Sequence, residues 1–170
     1  MQRHMTRSTT RRGGALTMAT CCFTAYTAVM LRLERRMRLT GGPGIVPFEL
    51  AGNPTRAAQI MTRWGPDGRR AARLSLWLDF GYMSTYGALT ALLLEHVRRM
   101  RGHPAALTAV VIPAVAADAV EGVSLLKVLD GSEVDVHARR ARSAAIVKFV
   151  VLGCAIGYCL IGGSHRLVSA

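Results

Sequence analysis

The amino-acid sequence predicts an all-α integral membrane protein, a four-transmembrane-helix bundle with a short interfacial amphipathic helix in its first loop. Three observations lead there. Four apolar blocks, about 13–31, 74–94, 104–129 and 143–162, each have the ~20-residue length a helix needs to cross the hydrocarbon core. Arginine clusters separate the blocks. Ionisable residues also sit inside them: Asp118 and Glu121 lie three apart within the apolar stretch 105–129, and Asp79 and Lys148 lie inside two others. Such groups are costly in a membrane span and usually face the bundle interior or a water cavity.

A length of 170 residues, of which 51% are hydrophobic, suits one domain. The net charge of +12, taken alone, would suggest a nucleic-acid binder. The distribution points elsewhere. The arginines gather beside apolar blocks, and no block carries a basic helical stripe with interleaved aromatics. That arrangement suits anionic lipid headgroups, so the expected partner is the lipid bilayer and not a nucleic acid. The expected location is the cell inner membrane or plasma membrane, as a multi-pass protein, with a homo-oligomer left open.

Residues 1–12, with Arg3, Arg7, Arg11 and Arg12, form a basic N-terminal arm, and 13–170 form the membrane domain. Block one follows Arg11-Arg12 without a small-x-small cleavage site, so it reads as an uncleaved span and not a signal peptide. Its Thr17, Thr20, Thr24 and Thr27 make a stripe whose hydroxyls can bond back to their own helix carbonyls. The connection 32–73 is long. It holds the turn-rich Gly41-Gly42-Pro43-Gly44, then Asn53-Pro54, which reads as an N-cap followed by proline at the first helical position. Ala57, Ile60, Met61 and Trp64 then recur at helical spacing with Arg56, Gln59 and Arg63 opposite. This is the short amphipathic helix, able to lie in a membrane interface, as a lid or as an anchor, and Gly65-Pro66 is expected to stop it.

Block two ends in Glu95-His96 and is joined to block three by a short loop, 95–103. Pro104 suits the start of block three, and Pro113 inside it is expected to kink the helix near Ala109. A second short loop, 130–142, leads to block four. Basic residues are denser in the loops 32–73 and 130–142, so the positive-inside rule favours both termini outside. Cys21, Cys22, Cys154 and Cys159 all lie in apolar blocks without a Cys-x-x-Cys pair and read as small buried hydrophobes. His4, His96, His103, His137 and His165 lie at block ends or outside them. No bis-histidine haem site, metal site or cofactor is expected. No nucleophile elbow, phosphate loop or dinucleotide fingerprint is present.

The ionisable residues converge. Counted in helix rise, Asp79, Asp118, Glu121 and Lys148 all fall in the half of the bilayer nearest loops 32–73 and 130–142, from three different helices. At ~100° per residue Asp79, Tyr82, Met83, Tyr86 and Thr90 share a face of block two. Ala114, Asp118, Glu121, Gly122 and Leu125 share one of block three, and Ala144, Ala145, Lys148, Ala155 and Cys159 one of block four. Small residues beside the charges let helices approach closely. Asp79, Asp118, Glu121 and Lys148 are the candidate catalytic residues, and Tyr82, Tyr86, Glu49 and Trp64 the candidate substrate-binding ones.

Paired carboxylates in a low-dielectric pocket do not ionise together easily, so a donor and an acceptor of protons stand side by side. Acid/base catalysis on a lipophilic small molecule, of isomerase or cyclase type, is the leading reading. A small proton-coupled transporter and a non-catalytic membrane subunit remain alternatives. A purely structural network, with Lys148 neutralising one carboxylate and tyrosines satisfying the others, is the competing account of each single residue.

The run Leu78-Asp79-Phe80 with Tyr82 and Tyr86, then Ala117-Asp118 with Glu121, then Lys148-Phe149, resembles a pattern in small four-helix integral membrane proteins of actinobacteria. The resemblance extends from Phe48 to Phe149, and the arginine- and alanine-rich composition fits a high-GC bacterium. The pattern often has asparagine after the glutamate, where this chain has Gly122. The resemblance implies the span layout and the choice of residues, and carries no reaction with it.

Overall fold

The computed structural model describes residues 2–164, with side chains described from 13 to 162. The described chain is all helical. Helix α1 runs Gln2–Leu39, α2 Ile45–Glu49, α3 Pro54–Arg101, α4 Val111–Leu129 and α5 Val134–Ser164, with a short 3-10 helix, Ala105–Val110, leading into α4. Among the described residues, three helices are long and apolar enough to cross a membrane, within Gly13–Leu39, Ala105–Leu129 and Val134–Gly162. His4, His165 and the side chains of the basic segment 1–12 lie outside the described residues.

The helices are longer than the apolar blocks, and most of the expected first connection is helical. α1 continues through Arg36 and Arg38, which occupy its last turn, where cations suit the negative end of the helix dipole. Asn53 caps α3 as its sequence suggests: its side-chain oxygen accepts from the Arg56 amide at 2.8 Å, and Pro54 stands in the first turn. The expected stop at Gly65-Pro66 is instead a sharp bend with an immediate restart. Gly65 adopts φ 60° and ψ −165°, a region essentially reserved for glycine. Pro66 then opens the next helical stretch, where a missing N–H costs nothing. Pro113 acts similarly: it lies in the first turn of α4, so the expected kink near Ala109 is a 3-10 lead-in to a newly started α-helix.

α4 packs closely on α5 and on α3, whereas α1 packs on α3 and makes little contact with α5. Small residues set these distances. Ala114, Ala141 and Ala145 are fully buried. A Cβ at Gly81 would collide with the Tyr26 phenol of α1, so glycine there is what lets α1 lie against α3. Apolar packing forms two clusters. One, at the α2 end, joins Met37, Phe48, Ile60, Trp64, Leu76, Leu125 and Val128. The other, at the opposite end, joins Leu94, Val111 and Ala155. The outward faces carry Met18, Leu31, Trp77, Ile112, Val150 and Leu160.

The four cysteines differ from expectation. Cys21, Cys22 and Cys154 are exposed, Cys159 is half-buried, and all four are free. Cysteine is a small hydrophobe, and on helices that are apolar all round it can as well face outward as inward. The threonine stripe behaves as expected: Thr17, Thr20 and Thr27 each donate to the carbonyl four residues back, at 2.8–3.0 Å.

The bend at Gly65 gives the first test. Gly65→Ala forces a side chain into a strained region and is expected to lower stability by ~1–3 kcal/mol. Gly153→Ala sits mid-helix in α5 with no atom near its Cβ and is expected to raise stability by roughly 0.5–1 kcal/mol. Thermal unfolding of the detergent-solubilised protein reads both. Equal effects from the two would show that the bend is not held in that conformation.

Candidate functional site: a buried lysine among carboxylates

α4 turns Asp118, Glu121, Gly122 and Leu125 inward and leaves Val120 and Val123 outside. This is the face that a 3.6-residue repeat assigns. α5 turns Lys148 inward on the same side as Ala141, Ala144, Ala145 and Ala155. α3 contributes Asp79, Tyr82 and Tyr86, and α2 ends in Glu49. The polar cluster therefore lies between the two apolar clusters, and it draws on four helices.

Lys148 is its centre. Its Nζ stands 2.8 Å from Asp118 Oδ1, 2.8 Å from Glu121 Oε2 and 3.8 Å from Glu49 Oε2. The Asp118 contact has hydrogen-bond geometry. The other two are charge contacts, and Glu49 Oε2 and Glu121 Oε2 are buried without a hydrogen-bond donor. Tyr86 donates from its hydroxyl to Asp118 Oδ2 at 2.6 Å, so both Asp118 oxygens are engaged. Asp118, Glu121 and Lys148 are 2%, 1% and 7% exposed. At such burial each unpaired charge would cost several kcal/mol, which is why the one ammonium is surrounded by acceptors. Glu49 is held above the usual carboxylate range: burial raises it most, Lys148 opposes, and Asp118 raises it further.

Beside the cluster is a cavity of about 580 Å³. Its floor carries Glu49, Asp79, Asp118 and Lys148. Its walls are Phe23, Thr27, Met30 and Leu31 of α1, Ile45 and Val46 of α2, Tyr82, Tyr86 and Leu89 of α3, and Phe149, Leu152 and Ile156 of α5. The cavity occupies the gap that α1 leaves by packing on α3 and not on α5. Its aromatic wall is ordered. Tyr82 stacks on Phe23 at 5.6 Å, meets Tyr86 edge-on at 5.7 Å, and shares a hydrogen bond with Thr27 at 3.0 Å.

Six of the residues expected at the site reach the cavity wall: Asp79, Asp118, Lys148, Tyr82, Tyr86 and Glu49. Glu121 does not; it stands behind Lys148 as an ion-pair partner. Trp64 is elsewhere. It is 1% exposed, packs on Phe48 at 5.0 Å, and donates its indole N–H to Pro43 O at 2.5 Å. The helix that carries it covers the ends of α4 and α5, and α2 covers the cavity instead. Sequence reasoning missed Glu34. This acid lies in the last turns of α1, on the cavity wall, and accepts from Arg38 at 2.9 and 2.8 Å and from the Ile45 amide at 2.8 Å. A single acid near a helix C-terminus, against the dipole and among Arg32, Arg35, Arg36 and Arg38, was the available signal. Among the described residues, no group of three or more His, Cys, Asp and Glu side chains is placed to hold a metal ion.

No protein family, curated protein or solved structure matches the chain. The chemistry of the site must therefore carry its interpretation.

Two outcomes follow from the geometry. Lys148→Met leaves buried acids without their cation and is expected to cost ~3–5 kcal/mol in thermal unfolding, whereas Tyr86→Phe, which removes one hydrogen bond to a charged group, is expected to cost roughly 1–3 kcal/mol. Glu49 supplies a pH dependence. With its folded-state proton affinity raised, the folded chain holds this proton more tightly than the unfolded one. Glu49 therefore favours folding in acid, and that contribution is lost as pH rises from 4.5, its unperturbed value, through its folded-state value. Glu49→Gln should flatten this decline in a stability-against-pH profile. An unchanged profile would mean that Glu49 is hydrated.

Proposed function

We propose that the chain is a four-span, multi-pass protein of the cell inner or plasma membrane that performs acid/base chemistry, of isomerase or cyclase type, on a lipophilic small molecule. Three spans correspond to the three long apolar helices. The fourth is the stretch of α3 from Leu74 to Leu94, entered beside the outward-facing Trp77 and left before Arg98, Arg99 and Arg101. Tryptophan at one end and arginine at the other suit the two interfaces of a bilayer.

The observation that carries this reading is the cavity: apolar and aromatic walls ending on carboxylates and a lysine. A lipophilic molecule entering between α1 and α5 would set its reactive end against that floor. Asp79 is half-buried and on the wall, so it is the group best placed to exchange a proton with a ligand. Asp118 is held by Lys148 and Tyr86 and fixes the floor electrostatically. Glu121, behind Lys148, balances charge without touching the ligand. Three carboxylates surround one ammonium and a fourth, Asp79, stands beside them on the wall, and a low-dielectric site of that composition exchanges protons within itself.

The cavity wall farthest from the polar floor speaks against a transporter. It is made by Leu89, Thr90, Leu93, Leu152 and Ile156, so among the described residues this wall offers the Thr90 hydroxyl but no charged group towards Glu95 and its arginine partners at the opposite end. A non-catalytic subunit that spends its charges on a partner would turn them outward, whereas Asp118, Glu121 and Lys148 all face inward.

Proton transfer to and from carbon leaves an isotopic mark, so the reading can be tested before the substrate is named. Membranes containing the protein are incubated in deuterated water, and their lipid extracts are surveyed by mass spectrometry. The expected result is a lipophilic species that gains carbon-bound deuterium with wild-type protein, at a rate lower by ~10²–10⁴-fold with Asp79→Asn. Equal labelling by wild type and variant, or no labelled species, would defeat the acid/base reading.

A further inference from the structure

The charge on the cavity floor restricts what can occupy it. Among the described residues Lys148 is the one cation on the wall, and three carboxylates already surround it. Asp118 and Glu121 each approach its Nζ at 2.8 Å and Glu49 at 3.8 Å. Three carboxylates around one ammonium leave a negative balance, which disfavours an anionic headgroup. Glu34, the acid on the α1 wall, is likewise satisfied by Arg38 and the Ile45 amide. Two carboxylates on the wall are less closely paired with the ammonium. Glu49 is 8% exposed, lines the cavity, and its Oε2 has no hydrogen-bond donor. Asp79 lines the cavity facing another carboxylate, Asp118, and among the described residues no cation stands within ion-pair distance of it.

The wall around these acceptors is aromatic: Phe23, Tyr82 and Tyr86 form a contiguous set of rings. Ring faces attract cations, and aromatic cages are a common device for recognising ammonium groups. Surplus carboxylate, a lysine already surrounded by carboxylates and adjacent ring faces all favour the same sign of charge on a ligand. A fatty-acid carboxylate or a lipid phosphate would meet repulsion from these carboxylates.

We infer that the cavity takes a lipophilic amine or quaternary ammonium compound, its cationic head against Glu49 and Asp79 and its apolar tail in the cleft between α1 and α5. This inference rests on the proposed ligand site and names the class of molecule that site selects. It excludes the anionic lipids as substrates and places the reacting atoms near a positively charged nitrogen.

The test uses the full-length protein in dodecyl maltoside and three probes with the same alkyl chain: dodecyltrimethylammonium, dodecanoate and dodecanol. Each is titrated while thermal stability is followed, and apparent affinities are taken from the shift in Tm. Dodecyltrimethylammonium is expected to bind tighter than either other probe by on the order of tenfold or more. Glu49→Gln and Asp79→Asn, separately and together, should erase that preference, with an unliganded Tm at neutral pH no lower for Glu49→Gln than for wild type. Because each single variant is read beside the double one, a poorly folding double variant does not decide the result. A preference that persists in the single variants would assign it to the micelle and overturn the inference. Equal or tighter binding of dodecanoate or dodecanol would overturn the charge assignment and leave the acid/base reading to its own deuterium test. Failure of all three to bind would overturn the inference as well.

Discussion

The Lys148 ammonium, buried against Asp118 and Glu121, is the contact on which the rest of the arrangement depends. It joins α5 to α4 at two points, reaches α2 through Glu49, and by way of Asp118 and the Tyr86 hydroxyl extends to α3. Removing these groups from water is unfavourable, and their mutual attraction offsets it only where the geometry is close. The sequence provides that closeness with alanines: Ala141 and Ala145, around Lys148 on α5, and Ala114, preceding Asp118 on α4, are completely buried. Apolar clusters lie above and below the same layer. Packing and electrostatics are thus interdependent, since larger side chains at the alanines would part the charges, and loss of the charges would leave polar atoms unpaired in an apolar layer.

A second constraint acts on α1. This helix packs extensively on α3, with specific contacts from the Tyr26 hydroxyl on the Leu78 carbonyl at 2.8 Å, the Thr27–Tyr82 hydrogen bond at 3.0 Å and the Phe23–Tyr82 stack. Glu34 fastens its end to α2 by accepting from the Ile45 amide. Among the described residues nothing comparable ties α1 to α5, so a gap remains over the polar floor. The cavity is therefore a consequence of which helix pairs carry small residues and hydrogen bonds. An apolar ligand in that gap would contact the helices that currently touch least.

Much of this was legible in the sequence because it is periodic. Asp118 and Glu121, three residues apart, must share a helix face, and the apolar residues around them fix which face is inside. The same phase argument placed Asp79, Tyr82 and Tyr86 together. Asn53-Pro54 is a local signal and the chain obeys it locally. What the sequence concealed is non-local. Trp64 reads as an amphipathic-face residue, but its place is set by the Pro43 carbonyl and the Phe48 ring, which come from another part of the chain. Gly65-Pro66 carries the same letters whether a helix ends or bends and restarts, and only the packing beyond it decides. Glu121 and Glu49 differ in access to the cavity because of where α2 lies, which no helical wheel of α4 contains. The cysteines faced outward because inside and outside are compositionally alike when helices are apolar on every side.

The account stands or falls on the Lys148–Asp118 interaction being a true coupling and not two independent burials. A double-mutant cycle measures this directly, using Lys148→Met, Asp118→Asn and the double variant, each followed by unfolding in detergent. The account predicts that the double variant is less destabilised than the two single losses combined, with a coupling energy of ~1–3 kcal/mol. Additive losses would contradict it, and would mean that the lysine and the aspartate occupy the same layer without holding each other there.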